Sequence, residues 1–260
     1  MMNPQPLLTL VTITYNAERF LERTLKSVEL ALQNAGNSIQ TEYLLIDGNS
    51  KDGTLKIAGE YGHILSHIVS EPDRGLYDAM NKGLSLATGK YIWFLNAGDE
   101  IYDEHVLEQL FQNLKSNADV YYSDAMFVRD NGNEVGLRSR FTPHDLPKNL
   151  TWQDFAFGMK VCHQAFIARK EIAPFYDDKN LSADIDWEIQ ILKRAEKIQY
   201  LDFLLCKYLL GGISVKNHRR SLIDRFQVLR KHFGLFPALF NHLLIFQRGF
   251  QFARRNGRYW

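Results

Sequence analysis

Acidic side chains follow two apolar segments of the chain at positions that suit a metal or ligand site. Asp47 comes directly after residues 43–46, and Asp99 follows residues 91–95 through the turn Asn96-Ala97-Gly98. Carboxylate oxygens are ligands that Mg²⁺ and Mn²⁺ prefer, and Gly98 permits close approach of a ligand. We expect Asp99 to bind a divalent cation. The alternative is that Asp99 caps the next helix.

A second acidic group opens a helix-like segment at residues 182–188. It contains Asp184, Asp186 and Glu188. A carboxylate of this kind can take the proton from a hydroxyl nucleophile, which is a poor nucleophile until that proton is removed. The alternative is that all three acids only favour the amino terminus of a helix.

The turn after the first apolar segment, residues 7–15, lacks a glycine-rich phosphate loop. The segment ends at Thr14-Tyr15-Asn16, and the chain contains neither G-x-G-x-x-G after it nor G-x-x-x-x-G-K-[ST]. The usual dinucleotide fingerprint and a P-loop are therefore excluded. A bound diphosphate would need another counter-charge, and a divalent cation held by carboxylates is the simplest.

Alternating strand and helix patterns predict the sheet that must position these side chains. Apolar runs at residues 7–15, 43–46, 64–69 and 91–95 predict buried strands, and helical periodicity separates them. Such alternation gives a mostly parallel sheet, which binds ligands at the carboxyl ends of its strands. Further on, residues 120–128 predict one strand, Asn131-Gly132 a hairpin, and residues 186–195 a helix.

The charge of the chain is small overall but uneven. Net charge is +1 over 260 residues, which argues against wholesale nucleic-acid binding. From residue 219 onward only Asp224 opposes the basic residues, and about forty residues predict two amphipathic helices. Basic and aromatic side chains of this tail suggest docking at a membrane surface: Arg248, Arg254, Arg255, Arg258, Phe246, Phe250 and Phe252. The alternative is a helical pair packed on the core with a solvated charged face.

Neither a signal peptide nor an apolar stretch long enough to cross a membrane is found, so a cytoplasmic protein, peripheral at the inner face of the cell membrane, is expected. Cys162 and Cys206 lack metal-ligand spacing and are expected to be buried free thiols.

Four runs of the sequence together resemble the family 2 glycosyltransferases with the GT-A fold. They are Thr12-Ile-Thr-Tyr-Asn16, Asp47-Gly-Asn-Ser-Lys-Asp-Gly-Thr54, Glu71-Pro-Asp-Arg-Gly-Leu-Tyr-Asp-Ala-Met-Asn-Lys-Gly83 and Tyr91-Ile-Trp-Phe-Leu-Asn-Ala-Gly-Asp99. Similar proteins build bacterial exopolysaccharide, colanic acid, capsule or lipopolysaccharide. The resemblance implies an α/β GT-A catalytic domain over residues 1–215, with a nucleotide-binding half (1–117) and an acceptor-binding half (118–215). Residues 216–260 form a basic helical tail outside it.

The resemblance implies roles for particular residues. The nucleotide pocket would be lined by Thr14, Tyr15, Asn16, Asp47, Gly48, Ser50, Arg74, Asn96 and Ala97. Donor or acceptor contacts would come from Asp78, Lys82, His163, Gln164 and Trp187. For Asp78 and Lys82 an ion pair within one helix is the alternative, and for His163 a structural role.

The resemblance also assigns the metal site and the base. Asn96 to Asp99 takes the place of the family's DxD motif, and Asp99 is the only carboxylate of that turn. His218 would reach the metal or the diphosphate. Asp184 would be the base, with Asp186 in reserve, although Ala183 stands where the family has Glu.

The sequence therefore predicts an inverting, metal-dependent glycosyltransferase that uses Mn²⁺ or Mg²⁺. Its donor would be a UDP-, GDP- or dTDP-sugar, and its acceptor a saccharide or lipid-linked saccharide. A sugar nucleotidyltransferase is one alternative, although such enzymes open with a glycine- and arginine-rich loop that is absent here. The others are a non-catalytic nucleotide- or sugar-binding module and a nucleic-acid-binding protein that uses the basic tail.

Overall fold

Strands and helices alternate through the first half of the chain, as the periodicity predicts. The computed structural model describes residues 5–36, 41–211 and 218–256. The strands are β1 (Leu8–Thr14), β2 (Thr41–Asp47), β3 (His67–Ser70) and β4 (Tyr91–Phe94). The helices between them are α1 (Leu21–Ala35), α2 (Thr54–Glu60) and α3 (Leu76–Leu86).

Shorter elements follow in the second half. The strands are β5 (Glu100–Ile101), β6 (Val120–Tyr122), β7 (Ala125–Val128), β8 (Glu134–Leu137), β9 (Phe166–Arg169), β10 (Ile198–Tyr200) and β11 (Cys206–Leu209). The helices are α4 (Val106–Leu114), α5 (Arg138–Phe141), α6 (Ala183–Arg194), α7 (His218–Phe233) and α8 (Leu235–Asn256). Short 3₁₀ helices lie at Trp152–Phe157, His163–Ala165 and Lys170–Ile172.

The central sheet has seven strands in the order β10-β6-β9-β4-β1-β2-β3. Strand β1 runs parallel to both β2 and β4, and β2 runs parallel to β3. Strand β9 runs antiparallel to its neighbours β4 and β6. Every residue of β1 is buried, because helices cover both faces of a parallel sheet. The predicted α/β architecture with a mostly parallel sheet is confirmed.

A second sheet of four strands, β5-β11-β7-β8, was not predicted. The single strand expected over residues 120–128 is wrong, because the chain leaves the central sheet at Ser123 and Asp124. The Ser123 hydroxyl donates to the Asp124 carbonyl at 2.7 Å and accepts the Leu205 N–H at 3.0 Å. Strand β7 then pairs with β11 and β8, and the predicted hairpin at Asn131-Gly132 joins β7 to β8.

The tail forms the two predicted helices and packs on the core. Gly234, with φ of 88°, separates α7 from α8. Leu229 of α7 packs with Ala238 and Ile245 of α8 in a small apolar cluster. Within the described ranges, no helix is long and apolar enough to span a membrane. Cys162 and Cys206 are free and buried, as expected.

Candidate active site

Hydrogen bonds join the turns at the carboxyl ends of β1 and β2. The Ser50 hydroxyl accepts the Asn16 N–H at 2.8 Å and donates to Asp47 Oδ1 at 2.5 Å. Asn16 Oδ1 in turn accepts the Lys51 N–H at 2.9 Å. Asn16 has φ of 46°, a left-handed conformation that asparagine tolerates better than most residues. The two turns therefore form one unit at the edge of the sheet, and the ring of Tyr15 lies beside it, 64% exposed.

Asp47 is engaged within this unit. Its Oδ2 accepts the Ser50 N–H at 2.9 Å and the Ser70 hydroxyl at 2.6 Å, and the residue is buried. Asp47 thus accepts three hydrogen bonds within the protein. A hydrogen bond from a nucleotide base would be a fourth, so the predicted contact with the base stays a prediction. Sequence reasoning missed Asp73, whose carboxylate would collide with a Cβ at Gly48. Gly48 thus leaves room for Asp73 against the turn.

Arg74 connects α3 to the loop that precedes α6. Its Nη2 lies 2.6 Å from Asp78 Oδ1 and 2.6 Å from Asp178 Oδ2. Lys82 binds Glu71 Oε1 at 3.0 Å and the Pro72 carbonyl at 2.8 Å. The alternative of an Asp78–Lys82 ion pair is therefore wrong, because each side chain has another partner.

The turn after β4 holds the predicted metal ligand. Asp99 is buried, and its Oδ1 accepts the Leu209 N–H of β11 at 2.8 Å. Burial raises the pKa of Asp99 to about 8. The alternative of a helix cap is wrong, because β5 follows Asp99 directly. Beside it, Asn96 Oδ1 is buried and has no hydrogen-bond partner among the described residues, and the Ala97 N–H binds the Ile13 carbonyl at 3.1 Å.

Asp184 lies half-buried in the first turn of α6. Burial raises its pKa, while the Ile185 N–H, the charge of Arg225 and the Tyr77 hydroxyl act in the opposite direction. Tyr208 of β11 precedes Leu209, whose N–H binds Asp99. Burial raises the pKa of Tyr208, and the negative charges of Asp99 and Asp184 raise it further. The candidate metal ligand and the candidate base therefore both lie within electrostatic range of Tyr208.

Asp186 faces α7 and not Tyr77 and Arg225, the partners of Asp184. Its carboxylate receives Lys231 Nζ at 2.9 Å, His232 Nε2 at 2.5 Å and Gln190 Nε2 at 2.8 Å. Burial opposes its ionisation, but His232 and Lys231 outweigh burial and hold the pKa of Asp186 below its usual value. Asp186 therefore attaches α7 to α6, and these contacts do not support it as the reserve base.

Three predicted donor or acceptor contacts are core residues instead. Trp187 is 1% exposed and donates from its indole N–H to the Pro174 carbonyl at 2.8 Å. His163 is buried against Trp187, and burial lowers its pKa to about 3, so it is neutral. Gln164 is buried and accepts the Cys162 thiol at 3.2 Å. Aromatic packing and burial place all three side chains in the core, and their contacts with donor or acceptor stay predictions.

Glu188 and His218 are the remaining candidates from the sequence. Glu188 is fully buried, and within the described residues its two carboxyl oxygens lack hydrogen-bond partners. Burial raises its pKa well above the usual value and favours the protonated form, with Oε1 3.5 Å from His163 Nδ1. The side chain of His218 lies outside the described residues, and its role stays a prediction.

The chain belongs to glycosyl transferase family 2, whose sequence model matches residues 9–173. It is 30% identical over 220 residues to a PGL/p-HBAD biosynthesis glycosyltransferase of Mycobacterium bovis (strain BCG / Pasteur 1173P2), covering 80% of this chain and 79% of that protein. It is 27% identical over 267 residues to an uncharacterized glycosyltransferase of Mycobacterium tuberculosis (strain ATCC 25618 / H37Rv), covering 100% and 97%. The protein is thus a glycosyltransferase.

Solved structures share its fold. Staphylococcus aureus TarS 1-349 in complex with UDP-GlcNAc has a TM-score of 0.68 at 19% identity, covering 96% of this chain and 74% of that one. The mannosyltransferase PcManGT from Pyrobaculum calidifontis, in complex with GDP-Man and Mn²⁺, has a TM-score of 0.62 at 15% identity, covering 98% and 77%. The fold is GT-A.

Proposed function

We propose that the protein transfers a sugar from a nucleoside diphosphate donor to a hydroxyl of a lipid-linked saccharide, with inversion at the anomeric carbon. The observation that carries this proposal is the placement of two acids around β11: Asp99 Oδ1 accepts the Leu209 N–H at 2.8 Å, and Asp184 lies within electrostatic range of the neighbouring Tyr208. Asp99 is suited to bind a cation beside a diphosphate, and Asp184 is suited to act as the general base. The UDP-GlcNAc of TarS and the GDP-Man of PcManGT support a nucleotide-sugar donor.

The joined turns after β1 and β2 are the proposed nucleotide site. The exposed ring of Tyr15 is available to stack on a base, and backbone and side chains of Asn16, Gly48 and Ser50 surround it. Aromatic stacking tolerates every base, because each base has a π-face. UDP, GDP and dTDP donors are therefore all candidates.

The turn after β4 fits one divalent cation, Mn²⁺ or Mg²⁺. Asp99 would supply a carboxylate oxygen, and Asn96 would supply the amide oxygen that has no partner in the described part of the chain. The described residues contain no group of three His, Cys, Asp or Glu side chains placed to hold a metal. The donor phosphates and water would therefore complete the coordination. When bound, the cation would offset the negative charge that builds on the departing diphosphate.

Asp184 is the proposed general base. Its carboxylate takes the proton of the acceptor hydroxyl while the acceptor oxygen bonds to the anomeric carbon. The bond from that carbon to the phosphate oxygen breaks, and the nucleoside diphosphate leaves. A raised pKa suits this task, because a base works best when its pKa lies near the operating pH. A single displacement of this kind inverts the anomeric carbon.

The outer face of α8 supports a lipid-linked acceptor and peripheral docking at the cytoplasmic face of the cell membrane. Large apolar side chains recur there every three or four residues and are exposed, which we call the α8 stripe: Phe236, Leu239, Phe240, Leu243, Phe246 and Phe250. The inner face packs against α7, and the outer face is apolar where the alternative expected a solvated charged face. The sequence has no acidic residue after Asp224, and Arg248 and Arg254 accompany the stripe. Apolar and basic groups together fit an anionic bilayer.

A donor screen tests the proposed reaction. The protein is incubated with Mn²⁺ or Mg²⁺ and a panel of nucleotide sugars, and nucleoside diphosphate release is followed beside Asp99→Asn and Asp184→Asn. We expect release from one donor, loss of release with EDTA, and loss in both variants. Release of pyrophosphate would indicate a nucleotidyltransferase. Nucleotide binding that survives both substitutions without turnover would indicate a binding module. No binding of any nucleotide, with or without metal, would contradict the proposal.

A further inference from the structure

Glu188 lies one helical turn after Asp184 in α6, on the same face of the helix. Asp184 is half-buried at the start of α6, whereas Glu188 is 0% exposed in the core. Two negative charges at this spacing repel each other. A charged Glu188 would therefore oppose the charge that Asp184 needs as the proposed base, and a neutral Glu188 would not.

The surroundings of Glu188 favour the protonated acid. No N–H or O–H of the described residues donates to either of its carboxyl oxygens. The positive charge of Arg138 acts on Glu188, but the Arg138 guanidinium donates to the Lys160 carbonyl oxygen at 2.7 Å. Asp184 and Cys162 act on Glu188 in the opposite direction. A carboxylate that is buried without donors is costly, so the neutral form is the stable one.

His163 lies beside Glu188 and can accept a hydrogen bond from it. Its Nδ1 is buried, has no hydrogen-bond partner within the described ranges, and lies 3.5 Å from Glu188 Oε1. A shift of a few tenths of an ångström brings this pair into the hydrogen-bond range. An ion pair is less favourable, because a buried carboxylate needs further donors for its remaining lone pairs. One proton on Glu188 instead gives each of the two side chains a hydrogen bond.

The other nitrogen of His163 already has a partner. His163 Nε2 lies 3.1 Å from the Tyr176 hydroxyl. The imidazole is stacked on Phe94, with ring centres 5.7 Å apart, and meets Trp187 edge-on at 5.2 Å. This packing fixes the ring, so the hydrogen bond at one nitrogen decides what the other can do. If Nδ1 accepts from Glu188, the neutral imidazole carries its proton on Nε2 and donates it to Tyr176.

We propose that Glu188 is a positioning residue: its protonated carboxyl donates to His163 Nδ1, and the His163 Nε2–H donates to Tyr176 and so fixes the segment that leads into Asp184. The proposal rests on the proposed function, because Asp184 is the group that this segment positions. The series of hydrogen bonds places no charge in the core.

Tyr176 carries this support to the start of α6. Its ring stacks on Tyr77, with 5.6 Å between ring centres, and on Trp187 of α6, with 4.9 Å. The Tyr77 hydroxyl donates to the Leu181 carbonyl at 3.3 Å, three residues before Asp184. Loss of the hydrogen bond at the Tyr176 hydroxyl would therefore loosen the turn that carries the proposed base.

Histidine ¹⁵N NMR of the full chain tests the hydrogen bond without any turnover. His163 is identified by the signal that His163→Gln lacks, and its tautomer is read at pH 7. We expect a neutral His163 with its proton on Nε2 in the wild type and in Glu188→Gln, because the Gln amide still donates to Nδ1. An imidazolium, or a proton on Nδ1, would overturn the proposal.

Hydrogen exchange and kinetics test the positioning. Glu188→Met keeps the approximate length of the side chain and removes the donor. Relative to the wild type, we expect about tenfold faster amide exchange in residues 176–184, unchanged exchange in α4, and a kcat about tenfold lower with little change in donor KM. Glu188→Gln should behave as the wild type does in each measurement and leave the acidic limb of the pH profile in place.

Equal exchange and equal kcat in Glu188→Met and the wild type would overturn the positioning role. Faster exchange in α4 as well would assign the effect to general destabilisation and overturn it too. An acidic limb that moves to lower pH in Glu188→Gln would show a charged Glu188, which contradicts the proposal. The NMR and exchange results need no substrate, so failure of the donor screen would count against the proposed function alone.

Discussion

Asp184 and Asp186 lie two residues apart in the first turn of α6, yet their carboxylates face different parts of the molecule. Asp184 meets the Tyr77 hydroxyl and the charge of Arg225, whereas Asp186 holds Lys231 and His232 of α7. Side chains at this spacing point about 200° apart around a helix. One acid is therefore directed to Tyr77 and the other to Lys231 and His232.

Asp184→Asn should lower kcat by about 10² to 10⁴, because the acceptor proton then has no base. The melting temperature should not fall, since burial disfavours the charged form that the substitution removes. Nucleoside diphosphate release and thermal melting measure the two effects. Activity within a few fold of the wild type would exclude Asp184 as the base.

Asp186→Asn should instead destabilise the protein by about 2 kcal/mol, because Lys231 and His232 lose a charged partner. The pKa of Asp186 is held low in the folded state, so this contribution is present above the ordinary Asp pKa. It should be lost as the pH falls through that value toward the lowered one. Urea unfolding at pH 7 and pH 3 measures it, with the exposed Asp202→Asn as the control. Equal stability of both variants at pH 7 would contradict the attachment role.

The acidic limb of the kcat/KM profile should lie above the pH expected for an ordinary carboxyl, because the pKa of Asp184 is raised. Activity requires the carboxylate, so it should fall as the pH drops through that pKa. Tyr77→Phe removes a hydroxyl that favours the charged form, and it should move the limb to higher pH. Tyr176→Phe is the matched control, since the Tyr176 hydroxyl binds His163 at 3.1 Å. A limb unmoved by Tyr77→Phe would show that another group sets it.

Metal binding should become tighter as the pH rises toward about 8, the raised pKa of Asp99. Below that pH the metal must displace a proton, so apparent affinity should change about tenfold per pH unit and level off above it. Titration of Mn²⁺ into the protein with bound nucleotide measures this, after subtraction of the same titration of nucleotide alone. Asp99→Asn should bind Mn²⁺ weakly at every pH. An unchanged pH dependence in Asp99→Asn would assign the proton to another group.

The α8 stripe should bind vesicles that contain anionic lipid. The double substitution Phe240→Ser and Leu243→Ser should weaken sedimentation with such vesicles by about tenfold or more, since two large apolar side chains no longer insert. Phe175→Ser is the matched control, because Phe175 and Phe240 are both 63% exposed. High salt should weaken binding in all three proteins. Wild-type protein that stays in solution would contradict the membrane role.

Strong periodic patterns made the first half of the fold predictable. Strands β1 to β4 and helices α1, α3 and α4 are bounded by turn residues and have one apolar pattern each. The second sheet escaped prediction because its strands have two to four residues and pair across long sequence separations. Strand β11, for example, pairs with β7 and β5 and carries no pattern of its own.

The acidic and aromatic residues of the site show where sequence reasoning stops. It could find the group Asp184, Asp186 and Glu188, but only the packing of α7 separates their roles. The family resemblance assigns Trp187 and His163 to the donor or acceptor, whereas their burial in the core could not be predicted from residue type. The sequence places Arg225 among the basic residues of the tail. Its interaction with Asp184 depends on how α7 packs on α6, which the sequence does not reveal.

The attachment of α7 by Asp186 fixes the distance between the proposed base and the proposed membrane-binding helix. The same helix, α6, begins with the proposed base and binds α7, which packs on the helix that bears the α8 stripe. If the stripe lies in the bilayer surface, the base stands at a fixed distance above it. The enzyme would then select acceptors by the distance of their hydroxyl from the membrane surface. It would glycosylate hydroxyls at that distance and not those of saccharides that are shorter or longer. Chain length of the product would be set by this distance as well as by the chemistry of the sugar.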